Sequence, residues 1–290
     1  MKQIFDYFQK FKIEPAATLS ILLSLLTFSL AFLFNWISRE IGRRRERRSY
    51  CRSMKFAILN LAKSCRRQSD IVRSSLAGAS LLANKNFIIN YTPLSSLGFL
   101  YNTDYNIFIK NCHPKWYRNK KEKEKYAERI TQLFDLISLI NGQQEGIKEI
   151  MQYLLNIYIK HEEVYITNLQ NLKLTVIENI ANNRFSEANQ FDNYKQLVQD
   201  YNSVFTEWQD NGAVTGYLST YPQIVQRIKD LNDKYPNAHM ALSTIKLIDL
   251  CTNAYINVEK VDEYLKKTYS DFSFFHRKSS RLLSVIAKGL

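Results

Sequence analysis

An uncharged stretch of twenty-two residues near the N-terminus restricts this chain more than any other feature. Residues 16–37 carry no ionisable side chain and include seven Leu, three Phe and two Ile. As an α-helix rising 1.5 Å per residue they would extend about 33 Å, enough to cross a hydrocarbon core of about 30 Å. A helix satisfies its own backbone polar groups, as lipid requires. The stretch therefore predicts a single membrane-spanning helix over residues 16–38.

A cleaved signal peptide and a buried soluble helix explain this stretch less well. The apolar region of a signal peptide is about 7–15 residues long and is followed by small residues at the cleavage site. Here the apolar run is longer, and residues 32–36 read Phe-Leu-Phe-Asn-Trp where cleavage would fall. A buried soluble helix would not need so many uncharged residues directly before an arginine cluster. Both alternatives are therefore less favoured than a membrane span.

The basic residues lie mainly on the C-terminal side of the predicted span. Residues 1–15 carry a net charge of +1, whereas residues 39–55 carry eight basic and two acidic residues, a net charge of +6. Because the more basic flank stays in the cytoplasm, we expect a cell inner (plasma) membrane protein with its N-terminus outside and residues 39–290 inside. The residues expected to contact anionic inner-leaflet lipids are Arg39, Arg43, Arg44, Arg45, Arg47 and Arg48.

The span divides the chain into four predicted parts. Residues 1–15 form an extracytoplasmic interfacial tail, residues 16–38 the transmembrane helix and residues 39–85 a basic juxtamembrane helix. Residues 86–290 form a cytoplasmic helical bundle, and a further boundary within it is considered near residue 115. Only 8 Gly and 5 Pro occur among 290 residues, which favours long helices. We therefore expect an all-α protein whose transmembrane helix continues into a bundle of long antiparallel helices.

Apolar periodicity and helix-breaking residues predict where the helices of the first half begin and end. The membrane helix should run without a break to Leu76. Residues 87–91 look extended, and Thr92 followed by Pro93 should open a short helix. An amphipathic helix over residues 130–140 should then end at Asn141-Gly142, because these residues are typical of a helix end.

The same reasoning predicts four helices in the second half. The first should occupy residues 147–181. The next should begin at Ser186 and end at Asn211-Gly212, and a further one should run from Thr220 to Pro236. The last should occupy residues 239–290. Short connections between these helices favour antiparallel neighbours.

The predicted span carries a narrow stripe of small and polar residues. The residues expected to make a helix–helix contact in the membrane are Ala17, Ser20, Ser24, Thr27, Ala31 and Asn35. At about 100° per residue they fall within a sector of about 80°. Small residues let helices approach closely, and hydroxyl or amide groups form hydrogen bonds across the contact. We therefore expect a homo-oligomer, or association with another membrane helix, through this stripe.

Two other interpretations of the stripe remain open. In a monomer, Ser and Thr hydroxyls can donate to their own backbone carbonyls four residues earlier. Alternatively, several copies could arrange the stripe around an aqueous lumen. In architecture alone, such a chain resembles bacterial membrane effectors of antiviral defence systems, and this resemblance implies an oligomeric membrane pore.

No sequence motif supports catalysis, a cofactor or a metal. Phosphate-binding glycine loops and the G-x-S-x-G elbow do not occur. His161 precedes two glutamates but has no second histidine four residues later, so a solvated side chain is favoured over a zinc ligand. The four cysteines are widely spaced without a C-x-x-C pair, which is typical of reduced cytoplasmic thiols. We therefore predict a non-enzymatic protein without a cofactor.

The distribution of charge along the chain also indicates which kinds of partner the protein could bind. Of the net charge of +13, +6 lies in residues 39–55, next to the membrane. Arg66, Arg67 and Arg73 lie farther along the helix, and a solvated face is favoured there over a nucleic-acid contact. We expect a single-pass, membrane-anchored interaction or effector protein that couples an unknown cytoplasmic protein partner or signal to the membrane. A membrane-tethered nucleic-acid-binding protein is the remaining alternative.

Overall fold

The computed structural model describes residues 15–78, 80–81, 92–112, 120–181, 194–210, 217–236 and 239–290. In chain order its α-helices are α1 Pro15–Leu76, α2 Leu97–Tyr101, α3 Tyr105–Cys112, α4 Lys120–Ala181, α5 Tyr194–Asp210, α6 Gln226–Lys234 and α7 His239–Gly289. A 3-10 turn, Tyr217–Thr220, and a π-helical turn, Tyr221–Val225, precede α6. No strand occurs within these ranges. The predicted all-α class is confirmed.

Helix α7 is the centre of the bundle, because both other long helices pack along it. Its contacts with α1 include Ser69 to Ser273, and its contacts with α4 include Asn179 to Ser243. Residue numbers rise along α1 and α4 while those of their partners on α7 fall, so both helices run antiparallel to α7. The expected bundle of long antiparallel helices, continuous with the N-terminal apolar helix, is confirmed.

Two apolar clusters form the core. The proximal cluster lies nearer the apolar end of α1, and its fully buried members include Ile58, Leu61, Ile130, Leu133, Ile140 and Leu283. The distal cluster fills the other half of the bundle, and its fully buried members include Tyr165, Leu172, Val176, Tyr201, Val225 and Val258. Burying each such side chain contributes about 1.5–3 kcal/mol, so these clusters supply most of the driving force for packing.

A layer of buried polar residues lies between the two clusters on all three long helices. It consists of Gln68, Ser69, Gln144, Ser273, His276, Ser279 and Ser280. Gln144 Nε2 and His276 Nε2 lie 2.8 Å apart, and the Ser69 and Ser273 hydroxyls lie 3.0 Å apart. Because a buried polar group that loses its partner costs about 1–3 kcal/mol, these pairs favour one register of the helices.

Several predicted helix boundaries are confirmed. Helix α1 runs unbroken through the arginine cluster to Leu76, α4 ends at Ala181, and α7 covers the predicted last helix up to Gly289. Residues 1–14, residues 87–91, the region near residue 115, Ser186 and Asn211-Gly212 lie outside the described residues, so the predictions made for them are not tested.

The predicted helix end at Asn141-Gly142 is wrong, because α4 continues through it as one helix of 62 residues. Asn141 Nδ2 donates to Glu145 Oε1, one turn later, at 3.1 Å. Gln144 is buried against His276 on α7, and the apolar positions on both sides of Gly142 contact the same helix. Packing along α7 therefore outweighs the cost of about 1 kcal/mol for a glycine inside a helix.

The predicted helix start at Thr92 and Pro93 is also wrong. Helix α2 begins at Leu97, after Ser96 in the left-handed region with a φ of 67°. Thr92 instead contacts α1: its backbone N–H and its hydroxyl both donate to Gln68 Oε1, at 2.9 and 2.8 Å. Gln68 belongs to the buried polar layer. Thr92 is therefore held by a tertiary contact with α1 and does not cap a helix.

The helix predicted from Thr220 to Pro236 is present with a different start. Thr220 belongs to the 3-10 turn, and its hydroxyl lies 2.9 Å from the Tyr165 hydroxyl of α4. Regular α-helix begins only at Gln226, after the π-helical turn that contains Pro222. The helix ends at Lys234, two residues before the predicted stop at Pro236.

Replacing Gly142 by alanine should stabilise the bundle. Gly142 is exposed, and an added methyl group would meet nothing within 4 Å. Since α4 is helical there, the higher helix propensity of alanine should raise the free energy of unfolding by about 0.5–1 kcal/mol. Denaturant unfolding of the detergent-solubilised protein measures this change. A loss of stability would instead indicate that a helix ends at residue 142.

His276 should make the stability of the bundle depend on pH. Burial lowers the pKa of His276 to about 4, from an unfolded value of about 6.5. The unfolded chain therefore binds the proton more readily, and the fold should lose about 3 kcal/mol as the pH falls from 6.5 to 4. Denaturant unfolding across this range should show a slope that His276→Gln reduces. A slope that is the same in His276→Gln as in the unmodified chain would contradict this assignment.

Candidate membrane interface

The first part of α1 extends away from the bundle. No residue from 19 to 49 is buried by the rest of the described chain, and the core begins at Met54, with Tyr50 packed partly against it. At 1.5 Å per residue, this unburied part of the helix is about 45 Å long. It is also the one helix among the described residues that is long and apolar enough to cross a membrane.

Twelve large apolar side chains between Leu19 and Ile37 are exposed, including Phe28, Phe32, Phe34 and Trp36. Phe34 is 76% exposed, more than any other large apolar side chain described. Transferring twelve such side chains from water to an apolar phase is favourable by on the order of 20 kcal/mol. The described part of the bundle covers none of them, and this exposure favours contact with a hydrocarbon phase or with other apolar helices.

The structure places most of the predicted stripe together on one surface of α1. Ser20, Ser24, Thr27 and Ala31 line a shallow groove, which Leu19, Leu23 and Phe28 border. Asn35 is exposed on the same side, one turn farther on. Ala17 lies in the helix, but its side chain is outside the described residues. The groove has the small floor and large walls that close helix packing requires, and self-association through it remains a prediction.

Thr27 shows the hydrogen bond expected of an isolated membrane helix. Its hydroxyl donates to the Leu23 carbonyl oxygen at 2.7 Å, one turn earlier. This bond gives the Thr27 hydroxyl a hydrogen-bond partner within its own helix, so no second helix is needed to satisfy it.

The predicted lipid-contacting arginines cover about two thirds of the circumference of α1. Arg39, Arg43, Arg44, Arg45 and Arg48 are exposed, and Arg47 is partly exposed. At about 100° per residue their positions span an arc of about 240°, too wide for one face, so they form an incomplete collar with a gap of about 120° between Arg45 and Arg39. Arg44 Nε lies 3.2 Å from Glu40 Oε1, and such an exposed pair contributes little to stability. Whether the collar contacts anionic lipid remains a prediction.

The described part of the chain brings together no metal-binding group. Nowhere in it do three or more His, Cys, Asp or Glu side chains lie close enough to hold an ion. His161 is half-buried on α4. All four cysteines are free thiols; Cys65 and Cys251 are buried, while Cys51 and Cys112 are half-buried.

Sequence reasoning missed two buried polar residues of α7, Asp262 and His276. Asp262 accepts from the Leu81 backbone N–H at 2.6 Å and pairs with Lys266 at 2.7 Å, so it fixes the chain just beyond α1. His276 pairs with Gln144. Both continue the apolar stripe of α7 at helical spacing, and this periodicity is the signal that would have placed them in the core.

None of three comparisons with known proteins, by family model, by curated sequence and by solved structure, finds a match for this chain.

Charge placed in the apolar part of α1 should release the protein from membranes. Arginine at the centre of a membrane helix costs about 2.5–3.5 kcal/mol, so Leu25→Arg with Leu26→Arg should strongly reduce membrane insertion. The unmodified chain should stay in the membrane pellet after alkaline carbonate extraction, and this variant should enter the supernatant.

The matched control is Leu242→Arg with Ile245→Arg, since these two α7 side chains are exposed to a similar degree but lie in the bundle. This control should remain in the pellet. Extraction of the unmodified chain by carbonate would contradict a membrane-spanning α1.

Proposed function

We propose that this protein is a single-pass membrane anchor and interaction module that self-associates through the groove on α1. In this proposal residues 16–38 cross the cell inner membrane, the N-terminus lies outside, and the bundle lies in the cytoplasm. The observation that carries the proposal is the exposed, uncharged first part of α1, because water is an unfavourable environment for it. The proposal is non-enzymatic.

The arginine collar supports the proposed orientation. It directly follows the apolar residues and precedes the first contact with the bundle at Tyr50. Anionic lipid attracts each Lys or Arg near the surface by about 1 kcal/mol, so six arginines would hold this part of α1 at the inner leaflet. The bundle would then begin about 18 Å from the end of the apolar stretch, counting twelve helical residues from Ser38 to Tyr50.

The groove on α1 supports self-association. Lipid tails are as apolar as leucine, so no hydrophobic effect drives membrane helices together, and packing and hydrogen bonds decide which of their faces meet. A floor of Ser20, Ser24, Thr27 and Ala31 allows a second helix to approach the backbone. Asn35, at the end of the stripe, would provide an amide for a hydrogen bond between copies.

The continuity of α1 supports coupling between the bundle and the membrane. The same helix carries the groove and, from Met54 onward, core residues of the bundle. A tilt or rotation of α1 caused by a protein partner of the bundle would therefore reach the bilayer without passing through a flexible joint. We propose this as the route by which a cytoplasmic partner or signal acts on the membrane part.

Self-association through the groove predicts that leucine in its floor separates the copies. Ser24→Leu with Thr27→Leu should remove cross-linked oligomers from native membranes, because the larger side chains fill the groove that the second helix needs. The measurement is chemical cross-linking followed by gel electrophoresis, with the mass of the detergent-solubilised protein as a second readout.

Ser29→Leu is the matched control, because residue 29 lies on the opposite side of the helix at about 100° per residue. It should leave the oligomers intact, and both variants should stay in the membrane. Oligomers that survive the double substitution, or an unmodified chain that is monomeric in nanodiscs, would refute association through this groove.

A further inference from the structure

Two cysteines that are far apart in sequence meet where α1 enters the bundle. Cys51 lies on α1, and Cys112 is the last residue of α3. The Cys51 thiol donates to the Asn111 carbonyl oxygen at 3.2 Å, which places it on the peptide bond that joins Asn111 to Cys112. The Cys51 sulfur therefore lies against the backbone at the start of Cys112, and the two side chains share the junction between α1 and α3.

The surroundings hold this pair in place and leave it partly open to solvent. Tyr126 on α4 donates from its hydroxyl to the Cys112 carbonyl oxygen at 2.7 Å, which fixes the end of α3. Both cysteines are half-buried, whereas Cys65 and Cys251 are fully buried. A small polar oxidant can therefore reach the pair but not the other two thiols.

We propose that Cys51 and Cys112 form a reversible intramolecular disulfide when a peroxide oxidises them, and that this bond links α1 covalently to α3. Formation of the bond requires the sulfur atoms to approach to about 2.05 Å. The starting point is favourable, because the Cys51 sulfur already lies 3.2 Å from the carbonyl oxygen of Asn111, the residue next to Cys112.

The chemistry is a two-step oxidation. The Cys51 thiolate attacks one peroxide oxygen, the O–O bond breaks, and a sulfenic acid and hydroxide form. The Cys112 sulfur then attacks the sulfenic sulfur, the S–O bond breaks, and the hydroxyl group leaves as water. Overall, two thiols lose two electrons and two protons, and hydrogen peroxide becomes two waters. Burial raises the pKa of Cys112, so its thiolate is scarce at neutral pH and the second step should be faster at alkaline pH.

The position of the Cys51–Cys112 disulfide determines which part of the structure it would hold. Cys51 lies three residues beyond Arg48, so a link to α3 ties α1 to the bundle directly below the arginine collar. In a reducing compartment, cellular thiols would cleave this bond again by thiol–disulfide exchange. Oxidation would therefore fix, and reduction release, the junction between the projecting part of α1 and the bundle. The proposal does not depend on self-association through α1.

The experiment uses the full-length protein in detergent, treated with hydrogen peroxide and then denatured in the presence of a maleimide. The number of labelled thiols should fall from the four of the reduced chain to two, and dithiothreitol should restore all four. Peptide mapping of the unmodified sequence should find the peptide containing Cys51 joined to the peptide containing Cys112. This mapping requires no substitution, so a poorly folded variant cannot obscure the result.

Four substitutions provide the controls. Cys51→Ser and Cys112→Ser should each abolish the intramolecular link. Cys65→Ala and Cys251→Ala should each retain it, so that their labelled thiols fall from three to one. Four labelled thiols after peroxide treatment, or a disulfide between other cysteines or between two copies, would overturn the proposal.

Discussion

One unbroken helix in two environments is the constraint on which the rest of this structure depends. In its first part α1 exposes large apolar side chains, and from Met54 onward it contributes buried ones to the proximal cluster. The backbone hydrogen bonds of a helix are made within the segment itself, so the same geometry suits lipid, the interfacial region and a protein core. Only the side chains change along α1, from uncharged residues through the arginine collar to the buried face.

Helix α7 makes this arrangement stable by packing against α1 and α4 along most of its length. The apolar clusters alone would tolerate small slips between long helices, because leucine and isoleucine side chains interdigitate in several registers. The polar layer does not tolerate such slips between the helices. A shift of one turn would separate Gln144 from His276 and Ser69 from Ser273, and would leave buried polar groups unpaired. The layer thus fixes the axial position of α1 relative to α7, and with it the point at which α1 leaves the bundle.

The sequence was sufficient for the features that follow from periodicity and charge. It predicted the all-α class, the continuity of α1 and the last helix, because each depends on a long repeating pattern. It failed at Gly142 and at Thr92, where a local preference for a helix end or a cap competes with a tertiary contact on α7 or α1. The contact of Cys51 with the end of α3 could not be predicted, since 60 residues separate Cys51 from Asn111.

The direction of the groove relative to the bundle limits how copies of this chain can associate. On a straight helix of about 100° per residue, the small-residue stripe points about 150° away from the core positions Met54, Ile58 and Leu61. Helices that meet through the stripe therefore place their bundles on the outside of the assembly. The arginine-free sector of the collar, between Arg45 and Arg39, lies on the side of the stripe, so associating helices would turn most of this charge away from the contact.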